Sequence, residues 1–188
     1  ERDGTWSPGL GLAFETLIAE LSSRFINLPP GEVDSEIDDA LRRVCQLLGL
    51  DLAVLWQWTG APPVLRATHF RYAEAGLDPP EPLRREQFPW YHEQMVAGRV
   101  VCWSSLDDLP AEAAVDREAC ILFGVKSNLC VPLTITGEPP VGVLGYSTLR
   151  AERHWPAELV QRLRLVAQVF TNALARRRAD EVLRKSEA

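Results

Sequence analysis

The sequence predicts an α+β domain built on an antiparallel sheet, and three observations carry that prediction. Two β-rich runs, residues 127–136 and 141–149, flank the turn-forming Gly137-Glu138-Pro139-Pro140, the pattern of an antiparallel hairpin with a loop of about four residues. Apolar residues at helical spacing stand near both ends of the chain: Phe14, Leu17, Ile18, Leu21, Phe25 and Leu28 early, then Leu159, Leu163, Val166, Phe170 and Leu174 late. Between them, shorter strand-like and helix-like runs are separated by Pro- and Gly-containing turns. With 188 residues, 46% of them hydrophobic, the chain is long enough to bury one core.

Charge and hydropathy narrow the function classes. A net charge of −6 argues against a nucleic-acid partner, which needs a basic face. No apolar run reaches 18 residues and there is no signal-peptide pattern, so the expectation is a cytoplasmic segment without membrane contact. The chain opens on Glu1 and closes in a charged helical run, and both ends are expected to be cuts within a longer protein.

In chain order, residues 1–11 carry Gly, Pro and Ser and are expected to be frayed. A first helix is predicted over residues 12–28, ended by Pro29-Pro30-Gly31. A second starts near Asp34, with Ile37, Leu41, Val44 and Leu48 on one face and Gly49 as its C-cap. Residues 51–58 and 64–71 read as strands around the turn Gly60-Ala61-Pro62-Pro63, and residues 73–87 as a loop. Pro89 suits the first turn of a short helix ending at Gly98, and residues 100–103 form a short strand. A helical stretch from Pro110 toward Phe123 is expected to break near Asp116 and to stop at Gly124. After the hairpin, Trp155-Pro156 opens a last helix running to about Glu187, roughly 45 Å at 1.5 Å per residue.

Alternation divides the hairpin's side chains. Leu129, Val131, Leu133 and Ile135 point one way, while Asn128, Cys130, Pro132 and Thr134 point the other. In the second run Gly142, Leu144 and Tyr146 alternate with Val143, Gly145 and Ser147. One face is greasy and wants a helix layer. The other is small and mildly polar, suited to a small ligand. The last helix carries a second apolar stripe at Leu165 and Val169, more than one sheet contact requires. That stripe predicts a parallel homodimer through the terminal helices, or packing against the first helix within one subunit.

A search for catalytic chemistry yields little. The histidines, His69, His92 and His154, are scattered, and His92-Glu93 lacks the second histidine of HExxH, so no metal site is expected. No GxSxG is present, and Ser104-Ser105 before Asp107-Asp108 reads as turn and capping chemistry. Gly9-Leu10-Gly11 follows no strand and is no dinucleotide loop. Arg176-Arg177-Arg178 reads as a solvated helix face. Cys45, Cys102, Cys120 and Cys130 form no CxxC pair and read as free thiols.

Lys126-Ser127, Val131-Pro132-Leu133 and Val141-Gly142-Val143-Leu144, followed by the helix after Trp155-Pro156, resemble the C-terminal half of a GAF domain. The resemblance extends over about residues 14–178 and rests on the order of elements. It implies an antiparallel five- or six-stranded sheet, with terminal helices on one face and short helices and loops over a pocket on the other. Residues 12–178 would be the sensory domain, and residues 179–188 the start of a helical linker to an output domain. The ending Leu183-Arg184-Lys185-Ser186-Glu187 is similar to linkers that lead into PAS or histidine-kinase regions, which implies a sensor histidine kinase of a two-component system.

The resemblance also bears on the ligand. The Asn-Lys pair of cyclic-nucleotide-binding relatives is replaced here by Leu149-Arg150, so that ligand is not expected. Bilin-attaching relatives carry Cys-His before the hairpin, whereas Cys120 is followed by Ile121, so no covalent bilin is expected. The pocket phase of bilin-binding relatives, carried over strand by strand, falls on Val54, Trp56, Asn128, Cys130, Gly145 and Ser147. Phe88, Trp90, Trp103 and Phe123 lie in the segments that would roof it, and would equally serve as a second core. His69 is the candidate for an axial haem ligand. The ligand itself stays unnamed. The fold includes a free methionine-(R)-sulfoxide reductase, so reduction of a small sulfoxide by Cys120 with Cys102 or Cys130 is the catalytic alternative, and a ligand-free dimerisation spacer the third. The primary expectation is a sensory module without catalytic residues.

Overall fold

The computed structural model describes residues 6–187. Among them, five strands form one antiparallel sheet in the order β2-β1-β5-β4-β3. The strands are β1 (Leu52–Thr59), β2 (Val64–Tyr72), β3 (Val101–Trp103), β4 (Ser127–Leu133) and β5 (Gly142–Thr148). Helices α1 (Pro8–Ile26), α2 (Val33–Leu48) and α5 (Ala157–Ser186) cover one face, and α3 (Pro89–Val96) and α4 (Ala114–Leu122) lie over the other.

The alternation expected of the hairpin sorts the two cores. Leu129, Val131, Leu133, Leu144 and Tyr146 pack with α1, α2 and α5 in the larger cluster. Cys130 and Val143 pack with α3 and α4 in the smaller one. The hairpin connection is longer than expected: β4 stops at Leu133 and β5 starts at Gly142, with the Val141 N–H returning to the Leu133 carbonyl at 2.8 Å. Pro139 and Pro140 offer no N–H to a ladder, so the strands cannot pair up to a tight turn.

Helix α1 starts at Pro8, earlier than expected, because the Ser7 hydroxyl caps it by accepting from the Leu10 N–H at 3.2 Å. The frayed segment is therefore not residues 1–11 as a whole, and residues 1–5 lie outside the described residues. Phe14, Leu17, Leu21 and Phe25 form its buried stripe, and Phe25 meets Phe170 of α5 with ring centroids 5.7 Å apart. Burying each such side chain contributes about 1.5–3 kcal/mol. Helix α2 ends at Gly49, whose φ of +65° is the left-handed cap that other residues adopt only with strain. The stretch after Pro110 contains no break at Asp116: a 3₁₀ turn at Ala111–Ala113 runs into α4, and Asp116 is an interior, fully buried residue.

The arginines expected to be solvated are partly employed. Arg176 of α5 donates to the carbonyls of Phe25 and Ile26, acceptors that α1 leaves unpaired at its C-terminus. Arg177 pairs with Asp34 at 2.6 Å, and Asp34 also meets His69 Nε2 at 2.9 Å. These contacts tie α5 to α1, α2 and β2 at one end of the domain.

At the other end, Asp51 holds the exit from β5. One carboxylate oxygen accepts from the backbone N–H groups of Leu149 (2.7 Å) and Arg150 (3.2 Å). The other accepts from the Arg150 guanidinium at 2.8 Å and 2.6 Å. Burial raises the Asp51 pKa, but the hydrogen bonds from Leu149 and Arg150 outweigh it and hold the carboxyl below the usual carboxylate range. Further along, the Trp155 indole N–H donates to the Trp103 carbonyl at 3.2 Å, fixing the approach to α5 against β3.

Asp51→Asn is expected to lower stability at pH 7 by about 1.5–3 kcal/mol, the worth of hydrogen bonds to a charged group. The folded carboxyl titrates below its unfolded value near 3.9, so its stabilisation is complete above about pH 5 and is lost as pH falls through the folded value. Denaturant unfolding of parent and variant should therefore converge in acid. A gap of equal size at pH 7 and pH 3 would show that the charge of Asp51 is not what holds the junction.

Candidate functional site

On the sheet face away from α1, α2 and α5 lies a cavity of about 160 Å³. Its floor is two cross-strand rungs. Val54, Gly145 and Cys130 are register partners across β1, β5 and β4, and so are Leu52, Ser147 and Asn128. Trp56 closes one side. A Cβ at Gly145 would stand 3.2 Å from Trp56 Nε1 and 3.5 Å from Cys130 Sγ, so the space exists because position 145 carries no side chain. Phe88 and Tyr91 of the α3 segment, with Cys120, Phe123 and Val125 of the α4 segment, form the roof. Phe88 and Phe123 stack with centroids 6.1 Å apart. Tyr72, Pro80, Glu81, Leu83 and Leu149 complete the wall.

A chain of hydrogen bonds fixes the polar part of the floor. The Trp103 indole N–H donates to the Tyr91 hydroxyl at 2.5 Å, and that hydroxyl donates to Asn128 Oδ1 at 2.7 Å. The Cys130 S–H donates to the same oxygen at 3.2 Å. The Asn128 amide donates to the Ser147 hydroxyl oxygen at 2.9 Å and the Tyr146 carbonyl at 3.1 Å. Asp116 places Tyr91: its carboxylate accepts from the backbone N–H groups of Tyr91 (2.8 Å) and Trp90 (3.2 Å) at the start of α3. Burial raises the Asp116 pKa, opposed by those same backbone donors.

Of the sequence-predicted candidates, Val54, Trp56, Phe88, Phe123, Asn128, Cys130, Gly145 and Ser147 all line this one cavity. Three do not. Trp103 is buried on the same sheet face but stands behind Tyr91, which it supports. Trp90 is half-buried and packs edge-on against Tyr91, with centroids 5.5 Å apart. His69 faces the helix layer and not the cavity, bound to Asp34 of α2. A bulge is responsible: Leu55 pairs with His69 and Trp56 with Ala67, so Thr68 is an extra residue and the strand changes face there. That placement removes His69 as a haem ligand in this pocket. Tyr91 and Asp116 are the residues that sequence reasoning missed. Tyr91 and Met95, one helical turn apart and both buried, carried a signal; the long-range cap by Asp116 carried none.

The described cysteines are free, and their surroundings make them poor nucleophiles. Burial pushes the thiols of Cys45, Cys120 and Cys130 up to about 12, so each is protonated near neutrality. Cys102 alternates with the buried Val101 and Trp103 and is exposed on the opposite side of β3. Among the described residues, no lysine, arginine or histidine lines the cavity.

The GAF domain family matches residues 32–174. No curated protein matches the chain. Among solved structures, the chain is similar to the GAF domain region of a protein from Geobacter sulfurreducens PCA, at 21% identity over 77% of this chain and 93% of that one, with a TM-score of 0.61. It is similar to the phycocyanobilin-bound GAF domain of a cyanobacterial phytochrome at 15% identity over 89% and 96%, with a TM-score of 0.71. It is also similar to the free methionine-R-sulfoxide reductase of Neisseria meningitidis, solved with its substrate, at 13% identity over 94% and 96%, with a TM-score of 0.68. At these identities the likeness is one of fold.

Tyr91→Phe should cost about 1–3 kcal/mol, because it strands the buried indole N–H of Trp103 and takes a donor from Asn128. Thermal or chemical unfolding measures the cost; a neutral substitution would mean that the network does not brace the pocket. Maleimide labelling of the native protein at pH 7 should modify Cys102 alone, with the other three thiols reacting only on unfolding. Fast labelling of Cys120 or Cys130 would contradict their protonated, enclosed state.

Proposed function

The chain belongs to the GAF domain family, and on that premise we propose that it is the regulatory, small-molecule-sensing domain of a signal-transduction protein. The observation that carries this reading is the position of Leu149. It walls the cavity, and its N–H is held by Asp51 at the exit from β5 that leads to α5. Whatever fills the cavity touches β5 at Gly145 and Ser147 and its exit at Leu149. A shift there loads the Asp51 clamp and the segment that runs through Trp155, itself hydrogen-bonded to Trp103, to the base of α5.

Helix α5 then serves as the output element of a cytoplasmic sensor, with a histidine kinase as the attached effector. Leu165 is exposed on α5, and Leu12 and Ile26 are exposed on α1. A parallel homodimer through these helices keeps both effectors at the same end. Val169 packs partly against the subunit's own core, so Leu165 is the residue that reports on a seam.

The lining favours a ligand smaller than a tetrapyrrole. A cavity of about 160 Å³ falls below the 300–1,000 Å³ typical of drug-sized ligands. Among the described residues no basic side chain lines the cavity to pair with propionates, and Ile121 follows Cys120. The residues do not fit a bilin. The sulfoxide-reductase reading is weaker still: two candidate thiols are protonated and unactivated, and the third, Cys102, is outside the cavity.

Native mass spectrometry of freshly purified protein should show a bound small molecule that is absent from Gly145→Val, a substitution that fills the cavity, with the circular dichroism of the variant unchanged. Hydrogen exchange over residues 149–156 should slow when the site is occupied. A parent protein that never carries or accepts a molecule would leave the domain as a spacer. Light scattering over a concentration series should show a dimer that Leu165→Glu weakens; a monomer throughout removes the seam.

A further inference from the structure

We infer that the cavity takes a neutral, single-ring aromatic or heteroaromatic molecule bearing a hydrogen-bond acceptor, an aryl ketone being the simplest case. The inference rests on the sensory reading above and names the chemistry of its ligand.

Size comes first. An engineered apolar cavity of about 150 Å³ holds one benzene ring, and this cavity measures about 160 Å³. Shape comes next. Trp56, Phe88, Tyr91 and Phe123 supply rings on opposite sides of the space, suited to stacked or edge-on contact with a flat guest.

The polar groups decide the rest. Both lone pairs of Asn128 Oδ1 are taken, by Tyr91 and Cys130. The Tyr91 hydroxyl accepts from Trp103 and spends its proton on Asn128. The Ser147 oxygen accepts from Asn128, but its own proton meets no acceptor among the described residues. The Trp56 indole N–H likewise meets none, and it stands beside the open position at Gly145. What remains at the floor is two donors without acceptors. A guest satisfies them by bringing an acceptor, and a donor that a guest covers without pairing is costly. With no cationic side chain in the lining among the described residues, and with Glu81 exposed there, an anionic guest is disfavoured. The donors on the floor disfavour a buried ammonium.

Four probes of similar size separate the chemistries: acetophenone, ethylbenzene, benzoate and benzylamine. Calorimetry should find acetophenone bound about tenfold more tightly than ethylbenzene, the worth of one net hydrogen bond, with both charged probes weaker. Acetophenone, but not ethylbenzene, should move the Trp56 indole N–H resonance downfield, its assignment given by its loss in Trp56→Phe. Ser147→Ala should reduce the preference for the ketone while leaving ethylbenzene affinity unchanged. Equal affinity for ketone and hydrocarbon, or a preference for benzoate or benzylamine, overturns the ligand class and leaves a sensing cavity in place. Failure of all four to bind overturns it as well, and the sensory reading is then judged separately by the molecule that co-purifies with the parent and not with Gly145→Val.

Discussion

Strict alternation along β1, β5 and β4 is the constraint on which the molecule depends. Every residue of β4 and of β5 is buried, so neither strand has a solvent face on which to discard side chains. What faces α1, α2 and α5 is large and apolar; what faces α3 and α4 is small. A one-residue slip would exchange Leu144 and Tyr146 for Gly145 and Ser147, emptying one core and overfilling the other. The cavity is thus a product of register: it persists because its closure would require undoing the packing of the opposite face.

That dependence explains what the sequence revealed. Period-two alternation is local, and Asn128, Cys130, Gly145 and Ser147 follow from it without knowledge of any partner. It fails where the backbone inserts a residue. Counting by twos from Leu65 and Ala67 sends His69 toward the cavity, and only the pairing with β1 reveals that Thr68 breaks the count. Helical position is harder to read. Trp90 and Tyr91 are adjacent, equally aromatic and about 100° apart on α3, and which of them enters the pocket is set by Asp116, a distant residue. Asp116 itself looked like a helix breaker because a buried carboxylate has no local signature; its partners lie 25 and 26 positions away. Arg176 was hidden for the same reason, since its acceptors are carbonyls at the far end of the chain.

A fold shared with a phycocyanobilin-bound domain and with a sulfoxide reductase says little about chemistry, because neither function is carried by the backbone. The lining distinguishes them. Here, among the described residues, it holds no cation, carries two protonated thiols and offers two hydrogen-bond donors in an aromatic surround. The network of Trp103, Tyr91 and Asn128 is buried and mutually paired, so its groups brace the site and are withdrawn from reaction with a guest.

Helix α5 extends well past its last buried side chain, Leu174, to Ser186. That overhang is about 18 Å of α-helix, gripped at its root by Arg176 and Arg177 and seated at its base by Trp155. Mechanically it is a lever with a long arm of about 28 Å inside the body, from Ala157 to Arg176, and a shorter one of about 15 Å outside. A tilt of about 5° about the Arg176 fulcrum displaces the tip, about 15 Å away, by roughly 1.3 Å. The arginines determine where the pivot lies, and so the gain of the lever. Moving those two charges one turn along the helix would alter the throw at the tip without touching the cavity.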